Sequence, residues 1–325
     1  MNLGQRIARG LLSFRLILRK DLPFYPLPPN SFGVNHFPMR LLRFLFKDLF
    51  RSLQTAGGRQ FLWLLLRYAD QPRNQSFWAT VGPFRFRVID GLSFAWQYKE
   101  IFTDEFYRFE TTEMAPVIYD CGANIGVSIA YFRQQHPNAR IVAFEADPGV
   151  GKILADNLKT NDIHNVELIN KAVWINSDGV DFGAGEADAG SMFSSEGRQR
   201  VPSIRLRDYL LREPRIDMVK IDIEGAEADV LTDCHDALTN VQNLFIEYHS
   251  YFGHPQALAG ILALLETNGF RYYVDTNQHR TRPFITRRYK GNDIMDLQLN
   301  VFAYRNLTAA ADRPRPSPTE RGVIR

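Results

Sequence analysis

Val117-Ile118-Tyr119-Asp120-Cys121-Gly122-Ala123-Asn124-Ile125-Gly126 reads as a short apolar strand that passes through a glycine turn into a helix ending near Gln135. Glycines four positions apart let the backbone turn tightly and approach a ligand closely. The amides exposed at a helix start make such a turn partly positive. A dinucleotide fingerprint needs a second glycine two positions after the first, so that backbone can touch the pyrophosphate. Asn124 holds that place, and the Asp120 carboxylate stands at the strand end. A carboxylate there repels a pyrophosphate and suits a cationic ligand. The turn also lacks the lysine-bearing signature of a P-loop.

The next strand adds the second half of the site. Ile141–Phe144 runs into Glu145-Ala146-Asp147-Pro148, placing an acid 19 residues after Gly126. An acid at the end of a second strand can accept hydrogen bonds from both ribose hydroxyls of an adenosine, whereas a 2′-phosphate would call for an arginine. A nucleoside with a cationic far end and no phosphate describes S-adenosylmethionine. Singly, Asp120 could be a helix cap and Glu145 a solvated turn residue. Their matched positions on adjacent strands favour cofactor binding.

Strand-length apolar runs continue at Val166–Val173, Met218–Ile223, Leu244–Tyr248, Tyr272–Val274 and Val301–Tyr304. Helical stretches at Ile125–Gln135, Gly149–Asn161, Ala226–Leu238 and Gln256–Asn268 alternate with the earlier strands. Such alternation predicts an α/β fold with a mainly parallel sheet covered on both faces. Ligands then lie beyond the carboxyl ends of the strands.

In Lys220-Ile221-Asp222-Ile223-Glu224 polar residues alternate with isoleucines, which places Asp222 and Glu224 on one face of a continuing strand before Gly225 turns the chain. These carboxylates, followed by Glu227, must be solvated, paired or functional. Pairing with Lys220 is the simplest account. Methyl transfer to a hydroxyl offers another, because a nearby carboxylate can take the acceptor's proton. A carboxylate pair could instead hold a divalent ion, although we assign no metal here. His249, following Glu247-Tyr248, is the histidine best placed to act as a general base. The catalytic candidates are therefore Asp222, Glu224 and His249. The Gly- and Ser-rich stretch Asp181–Val201 has the length of a lid, a hairpin or a substrate loop. Tyr248, Tyr251 and Phe252 could stack on an acceptor ring or pack in the core.

Three sequence blocks resemble the FkbM family of S-adenosylmethionine-dependent methyltransferases. They are Asp120–Gly126, Phe144–Pro148 and Lys220-Ile221-Asp222-Ile223-Glu224-Gly225-Ala226-Glu227. The likeness spans roughly residues 115–275, and its third block is the most family-specific. It implies a Rossmann-like seven-stranded sheet (class I methyltransferase) ending in an antiparallel hairpin, and O-methylation of sugars or other hydroxylated metabolites. By position, Asp120, Gly122, Asn124 and Gly126 would cradle the methionine end of the cofactor. Glu145 would hold the ribose, with Ala146 and Ala172 beside the adenine. The family often has Glu-Pro where this chain has Glu145-Ala146, a departure expected to change loop rigidity.

Outside that block the chain changes character. Residues 1–70 carry eleven Lys/Arg against three Asp/Glu, a balance of +8, which leaves −5 on the other 255 residues of a chain with overall charge +3. A basic front on a mildly acidic body argues against a nucleic-acid-binding core. Leu41, Leu42, Leu45, Phe46 and Leu49 recur at helical spacing among Arg40, Arg43, Lys47 and Arg51. This amphipathic basic helix could rest on anionic lipid, pack on the body of the protein or form a homodimer. Residues 1–75 thus read as a basic helical extension, 76–306 as the methyltransferase domain (cofactor-binding core 115–275), and 307–325 as a disordered Pro/Arg-rich tail. Residues 76–99 predict a small β-element leading into a helix over Tyr98–Glu110. Leu11–Leu18 is too short for a secretory signal and is interrupted by Arg15. Two cysteines cannot build a disulfide scaffold, so we expect a cytoplasmic protein with reduced thiols, possible contact with the inner membrane face being left to the basic helix. The expected partner is a small-molecule or glycan acceptor. The competing readings are a nicotinamide-dependent dehydrogenase and a membrane-associated scaffold without catalysis.

Overall fold

A computed structural model describes residues 53–72, 75–182, 199–276, 280–289 and 294–305. The basic helix expected over Arg40–Phe50, the C-terminal tail and the interior of the Asp181–Val201 stretch lie outside the described residues.

Helix α1 (Ala56–Tyr68) opens the described chain, with the Thr55 hydroxyl accepting from the Gly58 amide. The expected small β-element is a hairpin of β1 (Phe77–Val81) and β2 (Phe84–Val88). Helix α2 follows at Gly91–Tyr98, capped by the Asp90 side chain, and runs into one π-helical turn, Lys99–Thr103. The helix expected over Tyr98–Glu110 is thus displaced toward the N-terminus. Asp90 explains its start, since a capping acceptor before an apolar run nucleates the helix there.

The core begins with β3 (Val117–Cys121), α3 (Val127–Gln135), β4 (Arg140–Phe144), α4 (Pro148–Thr160) and β5 (Val166–Ile169). The apolar run expected as one strand over Val166–Val173 breaks after Ile169. The Asn170 amide donates to the Glu145 carbonyl at 2.7 Å, and β6 (Ala172–Trp174) leaves to pair with β9 (Ser203–Arg205). Between them β7 (Val180–Phe182) and β8 (Gln199–Val201) pair antiparallel. Then come α5 (Leu206–Leu210), β10 (Ile216–Ile221), α6 (Glu227–Asp233), β11 (Val241–Tyr251), α7 (Leu258–Thr267), β12 (Arg271–Asp275) and β13 (Met295–Tyr304).

The main sheet has seven strands in the order β12-β13-β11-β10-β3-β4-β5. Strands β11, β10, β3, β4 and β5 run parallel, while β13 pairs antiparallel with both β11 and β12. This is the mainly parallel α/β sheet with a terminal antiparallel hairpin that the sequence predicts. Side chains divide by alternation: Ile118, Ile141 and Met218 enter one core with α1, the β1–β2 hairpin, α2, α3 and α4. Tyr119, Val142 and Val219 enter the other with α5, α6 and α7. Phe61, Leu64 and Tyr68 of α1 are buried in the first core, and burial of each side chain stabilises by roughly 1.5–3 kcal/mol. The winding reverses between β3 and β10, so the carboxyl ends of these strands frame a crevice. Among the described residues no helix is long and apolar enough to cross a membrane.

Candidate functional site

At the end of β3 the glycine turn is held closely against its neighbours. A Cβ on Gly122 would lie 1.9 Å from the Asp222 carbonyl oxygen, and φ is +82°, so both the space and the backbone require glycine. The Gly122 and Ala123 amides donate to the Phe144 carbonyl at 3.0 and 2.9 Å. Asn124 adopts φ +48°, its amide donates to Glu145 Oε2 at 2.9 Å, and its side-chain oxygen accepts from the Ile125 amide. Asparagine tolerates this left-handed conformation because its short polar side chain bonds locally. Glu145 Oε1 accepts from the Asp147 amide at 2.9 Å. The Glu145 carboxylate therefore ties the two turns together even without a ligand, and burial pushes it up to about 7 against those two donors.

Asp120 sits beneath the turn rather than on its open face. It is fully buried, its Oδ2 accepting from the Ser128 hydroxyl at 2.5 Å and its Oδ1 lying 3.5 Å from Lys220 Nζ. Lys220 Nζ also lies 3.2 Å from Asp222 and donates to the Gly122 carbonyl at 2.6 Å. Burial acts to discharge this lysine, but Asp222 and Asp120 outweigh it and raise its proton affinity well above normal.

Strand β10 ends at Ile221, one residue before Asp222, so Asp222 and Glu224 project from the following turn and not from one strand face as expected. The Asp222 amide donates to the Cys121 carbonyl, and Glu224 takes φ +54° before Gly225 at +107°. Glu227 is buried and accepts from the Ile223 and Gly225 amides at 3.2 and 3.1 Å. It also lies 3.0 Å from His249 Nδ1, which leaves Nε2 3.8 Å from Glu224 Oε2. Tyr251 donates its hydroxyl to Glu224. Strand β11 runs on through His249 because β13 pairs along it, placing the histidine inside the ladder and not at its end. Burial lowers the affinity of His249 for its proton, but Glu224 and Glu227 outweigh this and hold it well above its ordinary range.

These elements surround a cavity of about 760 Å³. Of the residues singled out in the sequence, Gly122, Asn124, Asp222 and Glu224 line it. Asp120, Gly126, Glu145, Ala146, Ala172 and His249 are not part of that lining. Gly126 starts α3, and Ala172 is buried in the β6–β9 pair. The sequence reading missed one wall altogether: Leu92, Ser93, Trp96, Gln97 and Glu100 come from α2 and the π-helical turn. Their spacing, one and four positions apart, was the readable signal. Glu247, whose carboxylate contacts the Gln298 amide, faces the same space.

Four carboxylates, Glu100, Asp222, Glu224 and Glu247, line the cavity, and Lys220 is already engaged by two acids. Burial leads in raising Glu100 and Glu224 to about 7 and Glu247 well above its usual range. A group with sulfonium and ammonium charges fits this lining, and a pyrophosphate does not. Asp222, Glu224 and His249 each present one ligand atom within 4.8 Å of the others and could hold a divalent ion. The Lys220 ammonium already faces Asp222, and the His249 ring faces Glu224.

A family model described as the methyltransferase FkbM domain matches residues 120–272. Methyltransferase sdnD of Sordaria araneosa is 30% identical over 213 residues, covering 53% of this chain and 80% of that protein. The 31-O-demethyl-FK506 methyltransferase FkbM of Streptomyces tacrolimicus is 26% identical over 212 residues, covering 53% and 80%. The 2-O-methyltransferase NoeI of Sinorhizobium fredii is 26% identical over 155 residues, covering 41% and 63%.

Proposed function

We propose that this chain, which belongs to the FkbM family of methyltransferases, methylates a hydroxyl of a sugar or other small metabolite with S-adenosylmethionine as donor. One observation carries the reading: the glycine turn after β3, the carboxylates after β10 and the Glu247 carboxylate on β11 open on one cavity. Two relatives whose names specify methylation at oxygen support the choice of atom.

When bound, S-adenosylmethionine supplies an electrophilic methyl group on a sulfonium. Gly122 and Asn124 would seat its methionine end, and Glu145 would accept from the ribose hydroxyls. Asp120 acts from below, fixing Ser128 and Lys220, and Lys220 holds the Gly122 carbonyl in place. Asp222, on the cavity wall beside Lys220, would offset the sulfonium charge. Glu224 is the proton acceptor: its carboxyl lies near 7, where a base is both available and strong enough. His249 and Glu227 orient Glu224, taking the role of an ion pair in place of the general-base role expected for His249. Glu224 would take the proton of the acceptor hydroxyl, leaving its oxygen free to receive the methyl group that the bound donor would supply.

Calorimetry tests the first half. Submillimolar binding of S-adenosylmethionine or its demethylated product supports the reading, while binding of NAD in its place would replace it with a dehydrogenase. Labelling of metabolite extracts with radioactive methyl donor, followed by mass spectrometry, tests the acceptor.

A further inference from the structure

The link between β12 and β13 carries a surface that the catalytic reading leaves unused. From Arg280 to Tyr289 the chain reads Arg-Thr-Arg-Pro-Phe-Ile-Thr-Arg-Arg-Tyr, with four arginines and no acid. Arg282 takes φ +52°, and its carbonyl accepts from the amides of both Ile285 and Thr286 at 2.9 Å. This tight turn thrusts Phe284 and Ile285 outward, 89% and 74% exposed. Among the described residues Phe284 is the most exposed large apolar side chain. The Arg287 guanidinium is bonded back to the Phe284 carbonyl, which stiffens the tip. At the root of the same link Ile294 is 46% exposed, and its carbonyl accepts from the amide of Phe252, itself 44% exposed.

We propose that this loop docks the protein on an anionic phospholipid surface, with Phe284 and Ile285 entering the boundary between headgroups and acyl chains. An apolar tip flanked by the exposed Arg282, Arg287 and Arg288 matches that boundary. The ring and the branched alkyl chain leave water, and the arginines meet lipid phosphates, whose oxygens a planar guanidinium can grip bidentately. Clustered basic residues beside a membrane gain further from the negative surface potential. Single-stranded nucleic acid is a poorer match, since it stacks on aromatic faces and Ile285 offers none. Tyr289 closes the loop by donating its amide to the Met295 carbonyl, and it lines the catalytic cavity. Docking would thus bring one wall of the cavity to within a loop's length of the lipid. The proposal is independent of which acceptor or donor the cavity takes.

The test uses the full chain and sedimentation with phosphatidylcholine vesicles, with or without phosphatidylglycerol. The wild-type protein should sediment with the anionic vesicles and lose that binding as salt rises. The double variant Phe284→Ser/Ile285→Ser should bind about tenfold more weakly. Because the basic N-terminal segment is present in both proteins, equal binding by the two overturns the proposal. A second measurement places an environment-sensitive fluorophore on Ile285→Cys, which is selective because Cys121 and Cys234 are buried. Brightening on anionic vesicles supports insertion of the tip. No spectral change, or binding of a single-stranded RNA oligomer by a protein that ignores vesicles, overturns it.

Discussion

The ammonium of Lys220 lies 3.2 Å from the Asp222 carboxylate, and the side chains are 4% and 25% exposed. The same nitrogen faces Asp120 at 3.5 Å and donates to the Gly122 carbonyl. One buried cation therefore couples the cofactor turn to the acidic turn after β10. Replacing Lys220 by Met should destabilise the protein by about 3–5 kcal/mol, because breaking a buried pair leaves the remaining charge uncompensated. Denaturant unfolding at pH 7 reads the effect. A loss under about 1 kcal/mol would mean that water already solvates these carboxylates.

Glu145 makes stability fall with rising pH. Its carboxyl ionises at 4.5 in an unexceptional environment and at about 7 in the folded chain, where burial outweighs the Asp147 and Asn124 amides. Between those values the folded state keeps a proton that the unfolded chain has released. This contribution is complete below about 4.5 and is lost as pH climbs through about 7, on the order of 3 kcal/mol. Glu100 and Glu224 act in the same sense. Melting temperatures taken from pH 5 to pH 8 should decline, and more gently in Glu145→Gln. A steeper decline in the variant would place the titration elsewhere. Cofactor affinity should drop by about 1–3 kcal/mol in Glu145→Ala, the cost of a lost ribose contact.

The elements that the sequence disclosed are those with short-range causes. Strand–helix alternation and the glycines at 122, 126 and 225 expose the sheet and its two turns, because each glycine answers a local demand for positive φ. What stayed hidden depends on distant partners. The break after Ile169 arises from Asn170 reaching the Glu145 carbonyl, 25 positions away. The burial of His249 between Glu224 and Glu227 follows from β11 lying beside the acidic turn. No periodicity announces the π-helical turn that brings Glu100 to the cavity, since its cause is packing of α2 and its extension on α1 and α3. The glycine turn after β3 was legible in the sequence; the cavity wall from α2 was not.

Glu224→Gln should lower turnover by about 10²–10⁴ and leave cofactor affinity nearly unchanged, as expected on losing a proton acceptor. Wild-type turnover should rise with pH to a plateau past an apparent pKa near 7, the value to which burial raises Glu224. The variant's profile should be flat. Turnover in a chelator should equal that in magnesium, because Lys220 and His249 already supply positive charge to Asp222 and Glu224. Chelator-sensitive turnover restored by manganese would instead make Asp222, Glu224 and His249 the ligands of an ion.

Trp96 offers the most direct test of the acceptor wall. Its ring packs on Phe61 at 4.9 Å between centroids, yet the residue stays 48% exposed and borders the cavity one helical turn before Glu100. A flat apolar face held rigid on one side and open on the other suits a ring-shaped acceptor, while Gln97 and Glu100 beside it can accept from hydroxyls. Trp96→Ala should raise the acceptor KM about tenfold, in line with the 0.5–1.5 kcal/mol that aromatic packing adds to area burial. Trp96→Phe, which keeps a smaller ring, should recover most of it. The expected outcome is no change in kcat or in the calorimetric affinity for the donor. Loss of donor affinity in Trp96→Ala would show that this helix shapes the cofactor pocket. An unchanged KM in both variants would move acceptor selection to Glu247, Tyr289 and Gln298 across the cavity.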